Sequence, residues 1–520
     1  MLLTILSGCG AEPGETADAI SDDTSRAETV DQSGTGTTAS HDRDTTGAGP
    51  ATTNRQQSTG RSEPGPERQP APPPEVVWDP CGDGFDCGAV EVPIDYDRPE
   101  AGHLSISMIR RPAPGPARGS IFVNPGGPGA SGVDFVRSGF QLDPATSAEF
   151  HVIGFDPRGI GRSDPLSCSL DRTSQPFPDL SPDSAIEQAT LDEEARALIE
   201  RCLDTDGELI PHLTTLNVAR DLDRLRQAVG DEGLNYLGLS YGTLLGLYYG
   251  RLFPDTTARL VLDGVVDPEL SLTELLAQQA EAFEQGFSQL AKRCRTDDSC
   301  PSGGLQETFD RVLERLERSG PIDGAGATEL VLASLLPIYN PTIFDQYRDA
   351  LIAADNGSMA GIDRLSDFLV GSISFTAYAA FACADGAQPV GARAWTSFAA
   401  RLEREAPRFG AVIANELRVC SMWPRPDLDP GALAVGSGAT SAGSTGAPPA
   451  AAPLIIGNTG DAATPLENAE RVAAELTTSH LVVVDGLRHT AYTGSRCVQA
   501  LVADYFADKL QPGRSNCSLD

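Results

Sequence analysis

The chain has 520 residues, enough for one large domain carrying insertions, or for two domains, with a sizeable core. A formal net charge of -34 and a pI near 4.4 exclude a nucleic-acid partner, which needs a basic footprint, and suit cationic substrates such as free amino termini. Lysine stands only at 292 and 509, which excludes most lysine-based mechanisms, and eleven cysteines without a CxxC pair or a zinc-spaced Cys/His cluster point to an oxidising compartment, with no metal or organic cofactor.

In chain order, "LSGC" at 6–9 is similar to the lipobox of bacterial lipoproteins, which makes Cys9 the expected lipidation site. Only Met1 to Ile5 precede it, less than the apolar stretch of about 7 to 15 residues that an export signal needs, so the true start codon is expected further upstream. Residues 10–76 are rich in Ser, Thr, Gly, Pro and Asp and poor in large apolar side chains, and they read as a flexible tether. No run of about 18 apolar residues occurs, so the expected attachment to a membrane is by lipid alone, on the outer face of the envelope, or the protein is secreted.

From residue 77 the pattern becomes globular. Apolar runs at "GAVEVPIDY" (88), "HLSISMIRR" (103), "GSIFVNPGGPG" (119), "FHVIGFDPRG" (150), "LNYLGLSYG" (234) and "ARLVLDGVV" (258) alternate with helical patterns, which predicts an α/β fold with a mostly parallel sheet and helices on both faces. "NVARDLDRLRQAVG" places Val218, Leu222, Leu225 and Val229 on one helical face leading into the strand before Ser240. After this first part of the core (77–268), residues 269–430 read as helices without buried strand runs, a helical lid insertion. A low-complexity loop (431–453) precedes the C-terminal part of the core (454–520), with strands at "PLIIGNTGD" and "HLVVVDG".

The chemistry centres on Gly238-x-Ser240-x-Gly242, where an apolar strand runs directly into a helical sequence. A strand-turn-helix of this kind strains the serine backbone and needs glycines two residues to either side, while the helix amides face the hydroxyl. Such a serine needs a base, and the base follows it in this architecture, so of six histidines only His480 and His489 qualify. His480 begins a strand, at the wrong end of a parallel sheet; His489 leaves the carboxyl end and is the candidate. The orienting acid is expected in "PLIIGNTGDAATP" as Asp461, with Asp485 as the alternative; Thr464 is a candidate partner of Asp461 or the start of the next helix. An oxyanion hole needs close-approaching amides, and "IFVNPGGPGASG" supplies Gly126, Gly127 and Gly129, of which the Gly127 amide is paired with that of Tyr241. The same segment lacks the GK[ST] ending of a phosphate-binding loop.

"NPGGPGASG", "GFDPRGIGRSD", "LTTLNVARDLDRLRQAVG", "YLGLSYGTLLGLYYGRLFP", "RLVLDGVVDP", "FACADG", "NTGDAATP" and "GLRHT" together resemble the actinobacterial tripeptidyl aminopeptidase family of secreted α/β hydrolases, related to proline iminopeptidases and similar to mycobacterial cell-envelope lipoprotein serine proteases. The resemblance runs from about residue 77 to the end. It implies an α/β-hydrolase fold with a lid, a triad at Ser240, Asp461 and His489, and a peptide or protein substrate with a free N-terminus. Proline iminopeptidases carry His-Gly-Gly-Pro-Gly where this chain has Pro125-Gly126-Gly127-Pro128-Gly129, which favours the tripeptidyl branch.

The ten cysteines besides Cys9 fall in sequential pairs, and nearest-neighbour bonding would join Cys81/Cys87, Cys168/Cys202, Cys294/Cys300, Cys383/Cys420 and Cys497/Cys517, one of many possible connectivities. A free-amine substrate calls for a buried carboxylate near the lid, with Asp385 the first candidate and Asp267 the second. The reading is an exported serine peptidase. A cell-envelope carboxylesterase or lipase would share the same triad, and a non-catalytic lipoprotein binder would have no use for it.

Overall fold

The computed structural model describes residues 75–168, 178–386, 389, 391–424, 451–476 and 478–520, all within one structural unit. Cys9, the LSGC stretch, the tether as far as residue 74 and residues 425–450, which include most of the low-complexity loop at 431–453, lie outside the described residues.

Ten strands form one sheet: β1 (Asp79–Pro80), β2 (Asp86–Pro93), β3 (His103–Arg111), β4 (Ser120–Asn124), β5 (His151–Phe155), β6 (Leu234–Leu239), β7 (Thr257–Asp263), β8 (Leu454–Asn458), β9 (His480–Asp485) and β10 (Gly513–Ser518). Their order is β1-β2-β3-β5-β4-β6-β7-β8-β9-β10. The first pairings, out to β3–β5, are antiparallel and the rest parallel. Strands β4, β6 and β8 are buried along their whole length, which is why they read as continuous apolar runs without alternation.

The chain steps from β4 outward to β5, then crosses back to β6 on the other side of β4. The segments leaving β4 and β6 therefore start side by side, with Asn124 opposite Gly238, where open parallel sheets form their crevice.

Among the described residues, five helices belong to the first part of the core: α1 (Gly132–Arg137), α2 (Pro144–Glu149), α3 (Ala185–Asp206), α4 (Thr215–Ala228) and α5 (Tyr241–Leu252). In α4, Thr214 caps the Asn217 amide, and Val218, Leu222 and Leu225 are fully buried. Between β7 and β8 the described residues form eight more helices: α6 (Leu272–Cys294), α7 (Leu305–Ser319), α8 (Ala327–Tyr339), α9 (Phe344–Asp355), α10 (Ala360–Val370), α11 (Phe375–Asp385), α12 (Ala392–Glu405) and α13 (Gly410–Asn415). Helix α6 starts with a reciprocal Ser271/Glu274 capping box, ends on Lys292 and Arg293, and buries Leu276, Ala280, Phe283, Phe287 and Leu290 on one stripe. Phe287 meets Phe309, Tyr347 and Phe409 edge-on at 5.2, 6.4 and 5.7 Å between ring centres, in an apolar core continuous with that on one side of the sheet. Helices α14 (Leu466–Glu475) and α15 (Arg496–Phe506) flank the last strands.

Strand β10 has no apolar pattern to announce it. It is held beside β9 by His480, whose Nδ1 and Nε2 lie 2.6 and 2.8 Å from Gln511 O and Ser515 Oγ, and by the Cys497–Cys517 bond. The other disulfides are Cys81–Cys87, Cys168–Cys202, Cys294–Cys300 and Cys383–Cys420.

Candidate active site

Ser240 stands between β6 and α5 with φ +56° and ψ -126°, a conformation that side chains other than glycine rarely hold. Surrounding backbone fixes it: its amide donates to Asp263 O at 2.9 Å, and its carbonyl accepts the Thr243 amide at 2.8 Å and the Thr243 hydroxyl at 2.6 Å. The two flanking glycines are sterically required. A Cβ on Gly238 would stand 2.3 Å from Gly242 O, and one on Gly242 would stand 2.8 Å from Asn124 O.

The turn after β4 closes against this elbow. Gly126, Gly127 and Gly129 have φ of +96°, +120° and +108°, and a Cβ on Gly126 would lie 2.4 Å from Leu239 O and 3.0 Å from the Tyr241 amide nitrogen. Tyr241 is the first residue of α5, so its amide has no partner within the helix. This brings the Gly127 segment and the Tyr241 amide to the same side of Ser240.

His489 and Asp461 meet on the loops leaving β9 and β8. The imidazole Nδ1 lies 2.9 Å from each Asp461 carboxylate oxygen, and His489 is 2% exposed. Asp461 also accepts from the amides of Ala463 (3.0 Å), Thr464 (2.9 Å) and Thr490 (3.2 Å) and from the Thr464 hydroxyl (3.0 Å). Burial works against its charge, but His489 and these donors hold the carboxyl below its usual range. Burial pulls the His489 pKa down, against the opposing pull of Asp461, which keeps the ring neutral with its proton on Nδ1 and a free lone pair on Nε2. That Nε2 is buried and has no hydrogen-bond partner among the described residues. Tyr339 packs edge-on against the ring at 5.3 Å, and its carbonyl accepts the His489 amide at 3.0 Å.

Two clefts meet at Ser240, with Gly127, Gln279 and Tyr378 in the walls of both. The first also contains His489, the second Asp267, Thr464 and Asp385. No hydrogen bond joins Ser240 to His489, although both line the first cleft; such contacts often tighten only with substrate bound. Asp485 lies exposed at the end of β9, accepting from Thr459, and the carboxylate bonded to His489 is that of Asp461.

Asp385 and Asp267 already have partners. Asp385 accepts from the Thr215 amide at 3.0 and 3.2 Å and from its hydroxyl at 2.6 Å, and that hydroxyl also bonds the Tyr241 phenol. Asp267 is paired with Arg471 at 2.6 Å. Two acidic residues escaped the sequence reading. Asp263, at the end of β7, is fully buried and accepts the Ala491 amide at 2.9 Å and the Tyr492 amide at 2.8 Å, fixing the loop that carries His489; burial pushes its carboxyl up to about 7. Its place at a strand end was the available signal. Glu416, just after α13, lines the first cleft and, among the described residues, accepts only from Tyr378, at 2.9 Å; burial likewise pushes it up to about 7. No group of three or more His, Cys, Asp or Glu among the described residues is arranged to hold a metal ion.

Residues 119–326 match the model of the α/β-hydrolase fold, and residues 406–517 match the TAP-like protein model. The chain is 30% identical to serine protease Hip1 of Mycobacterium tuberculosis, over 84% of this chain and 89% of that protein. It is 32% identical to the tripeptidyl aminopeptidase of Streptomyces coelicolor (83% of each) and 31% identical to carboxylesterase B of M. tuberculosis (87% and 92%). The chain thus belongs to the α/β-hydrolase family of serine hydrolases that includes these tripeptidyl aminopeptidase-like peptidases.

Proposed function

We propose that this protein is an exported serine peptidase that releases short peptides from free amino termini, with Ser240 as nucleophile, His489 as base and Asp461 as the group that orients it. The observation that carries the reading is an imidazole tied through Nδ1 to Asp461, its Nε2 without a partner among the described residues, in the cleft that contains a serine on a strained elbow. The Ser240 hydroxyl gives its proton to Nε2 as its oxygen bonds the scissile carbonyl carbon. The amides of Gly127 and Tyr241 take the developing oxyanion. The imidazolium, held by Asp461, then protonates the leaving amine as the C–N bond breaks. Water, deprotonated by His489, hydrolyses the acyl-enzyme and restores the serine. Thr464 keeps the Asp461 carboxylate in register with His489 through its own amide and hydroxyl.

Peptide specificity follows the tripeptidyl aminopeptidase and protease relatives, and the carboxylesterase relative supports a second reading as an envelope esterase. Five disulfides suit export, and the LSGC stretch supports attachment through a lipid on Cys9. The test is turnover of tripeptide p-nitroanilides, free and blocked at the amine, beside a p-nitrophenyl ester, by the wild type and Ser240→Ala. Cleavage of the free-amine peptide that the variant loses supports the peptidase. Ester turnover with neither peptide cut moves the protein to the esterase reading.

A further inference from the structure

A peptidase that requires a free amino terminus must set a carboxylate against the ammonium, and the first cleft contains an unspent one. Apart from the catalytic groups its walls are largely apolar, with Leu180, Phe283, Leu332, Leu335 and Ile413 facing the same space as Glu416. A carboxylate offers about four acceptor positions. Among the described residues Glu416 uses one, for the Tyr378 hydroxyl, and no cation pairs with it. Placing a carboxylate among apolar side chains with so little compensation is costly, and an arriving ammonium removes that cost. Asp385 and Asp267 in the second cleft are already engaged by Thr215 and Arg471.

We propose that Glu416 receives the free amino group of the substrate, so that the amino-terminal fragment to be released lies in the first cleft with apolar side chains against Phe283, Leu332 and Leu335, while the leaving peptide exits through the second. Tyr378, in the wall of both clefts, holds the Glu416 carboxylate in place. The inference rests on the peptidase reading and adds to it the direction in which the peptide lies and a preference for apolar residues in the released fragment. Asp385 then has a different task. Through Thr215 it fixes the ring of Tyr241, whose amide serves the oxyanion, and so it is a positioning residue between α11 and the elbow. Protonation of Asp385 does not undo this, because a protonated carboxyl keeps one acceptor oxygen and gains a donor.

The test compares kcat/KM for a free-amine and an acetylated apolar tripeptide anilide in the wild type, Glu416→Gln and Asp385→Ala. Glu416→Gln is expected to lower the free-amine to acetylated ratio about 10- to 100-fold, while Asp385→Ala, which removes the acceptor for Thr215, lowers kcat on both peptides and on the ester and leaves the ratio in place. A wild-type preference for the free amine that persists in Glu416→Gln overturns the inference and leaves the peptidase reading standing. Wild-type failure on both peptides overturns the peptidase reading itself. Inhibition of wild-type ester turnover by a free-amine tripeptide amide, set against its acetylated form, tests the site without any variant. Selective inhibition by the free amine supports the site, and equal inhibition by the two forms overturns it.

Discussion

Ser240 keeps a positive φ only because carbonyl and amide partners on β7 and α5 over-determine it, and the glycine of the neighbouring turn leaves it room. Serine and histidine were legible in the sequence for different reasons: the serine from the glycines at two residues to either side, the histidine because only six exist and one follows the elbow at a strand's carboxyl end. Glu416 was not legible. It is one of 73 acidic residues, and its role depends on the end of α13 packing beside Tyr378 of α11, which no local pattern announces. At this scale the pH dependence is set by His489. Burial lowers its pKa from 6.5, so the neutral base survives to lower pH than in an exposed histidine. For an ester, which has no amine to titrate, kcat/KM should rise with pH through a value below 6.5 and be lost as pH falls through it. An acid limb centred above 7 would contradict the assignment of His489 as the neutral base.

At the scale of elements, the site is assembled by strand ends: β4 supplies the glycine turn, β6 the serine, β7 the Asp263 anchor, β8 Asp461 and β9 the His489 loop. Buried apolar runs made these strands readable, and the stripe of α4 was readable from its spacing of three and four. Strand β10 was not, because "GRSNCS" is polar and is kept in the sheet by His480 and a disulfide. The fit between β4, β6 and α5 makes a direct prediction. Gly242→Ala puts a methyl 2.8 Å from Asn124 O. It should cost about 1–3 kcal/mol of stability, measured by denaturant unfolding, and should displace the elbow enough to lower kcat on esters and peptides alike. Wild-type stability and kcat in this variant would show that the elbow has slack that the geometry denies.

Across the whole molecule, a motif read as family resemblance proves to be framework. In "GFDPRGIGRSD", Asp156 accepts from the Ser131 hydroxyl at 2.5 Å and the Val133 amide at 3.0 Å, joining the end of β5 to the start of α1. Arg158 is fully buried and forms a two-pronged pair with Asp221 of α4 at 2.7 and 2.6 Å, with Tyr96 adding a third bond to the same carboxylate. Removing one partner strands the other charge, so Asp221→Ala should lower unfolding free energy by about 3–5 kcal/mol; a loss below about 1 kcal/mol would mean that water reaches Arg158. The helices between β7 and β8 share one apolar core with the sheet and carry both Glu416 and Asp385, so substrate choice and elbow geometry are set from the same insertion. The central claim, that Ser240 is activated by the Asp461–His489 pair, is tested most directly by a fluorophosphonate probe followed by peptide mapping. The account predicts one adduct, on Ser240, formed in step with the loss of ester and peptide turnover and greatly slowed in His489→Ala. An adduct on another serine, or full turnover with Ser240 modified, would contradict it.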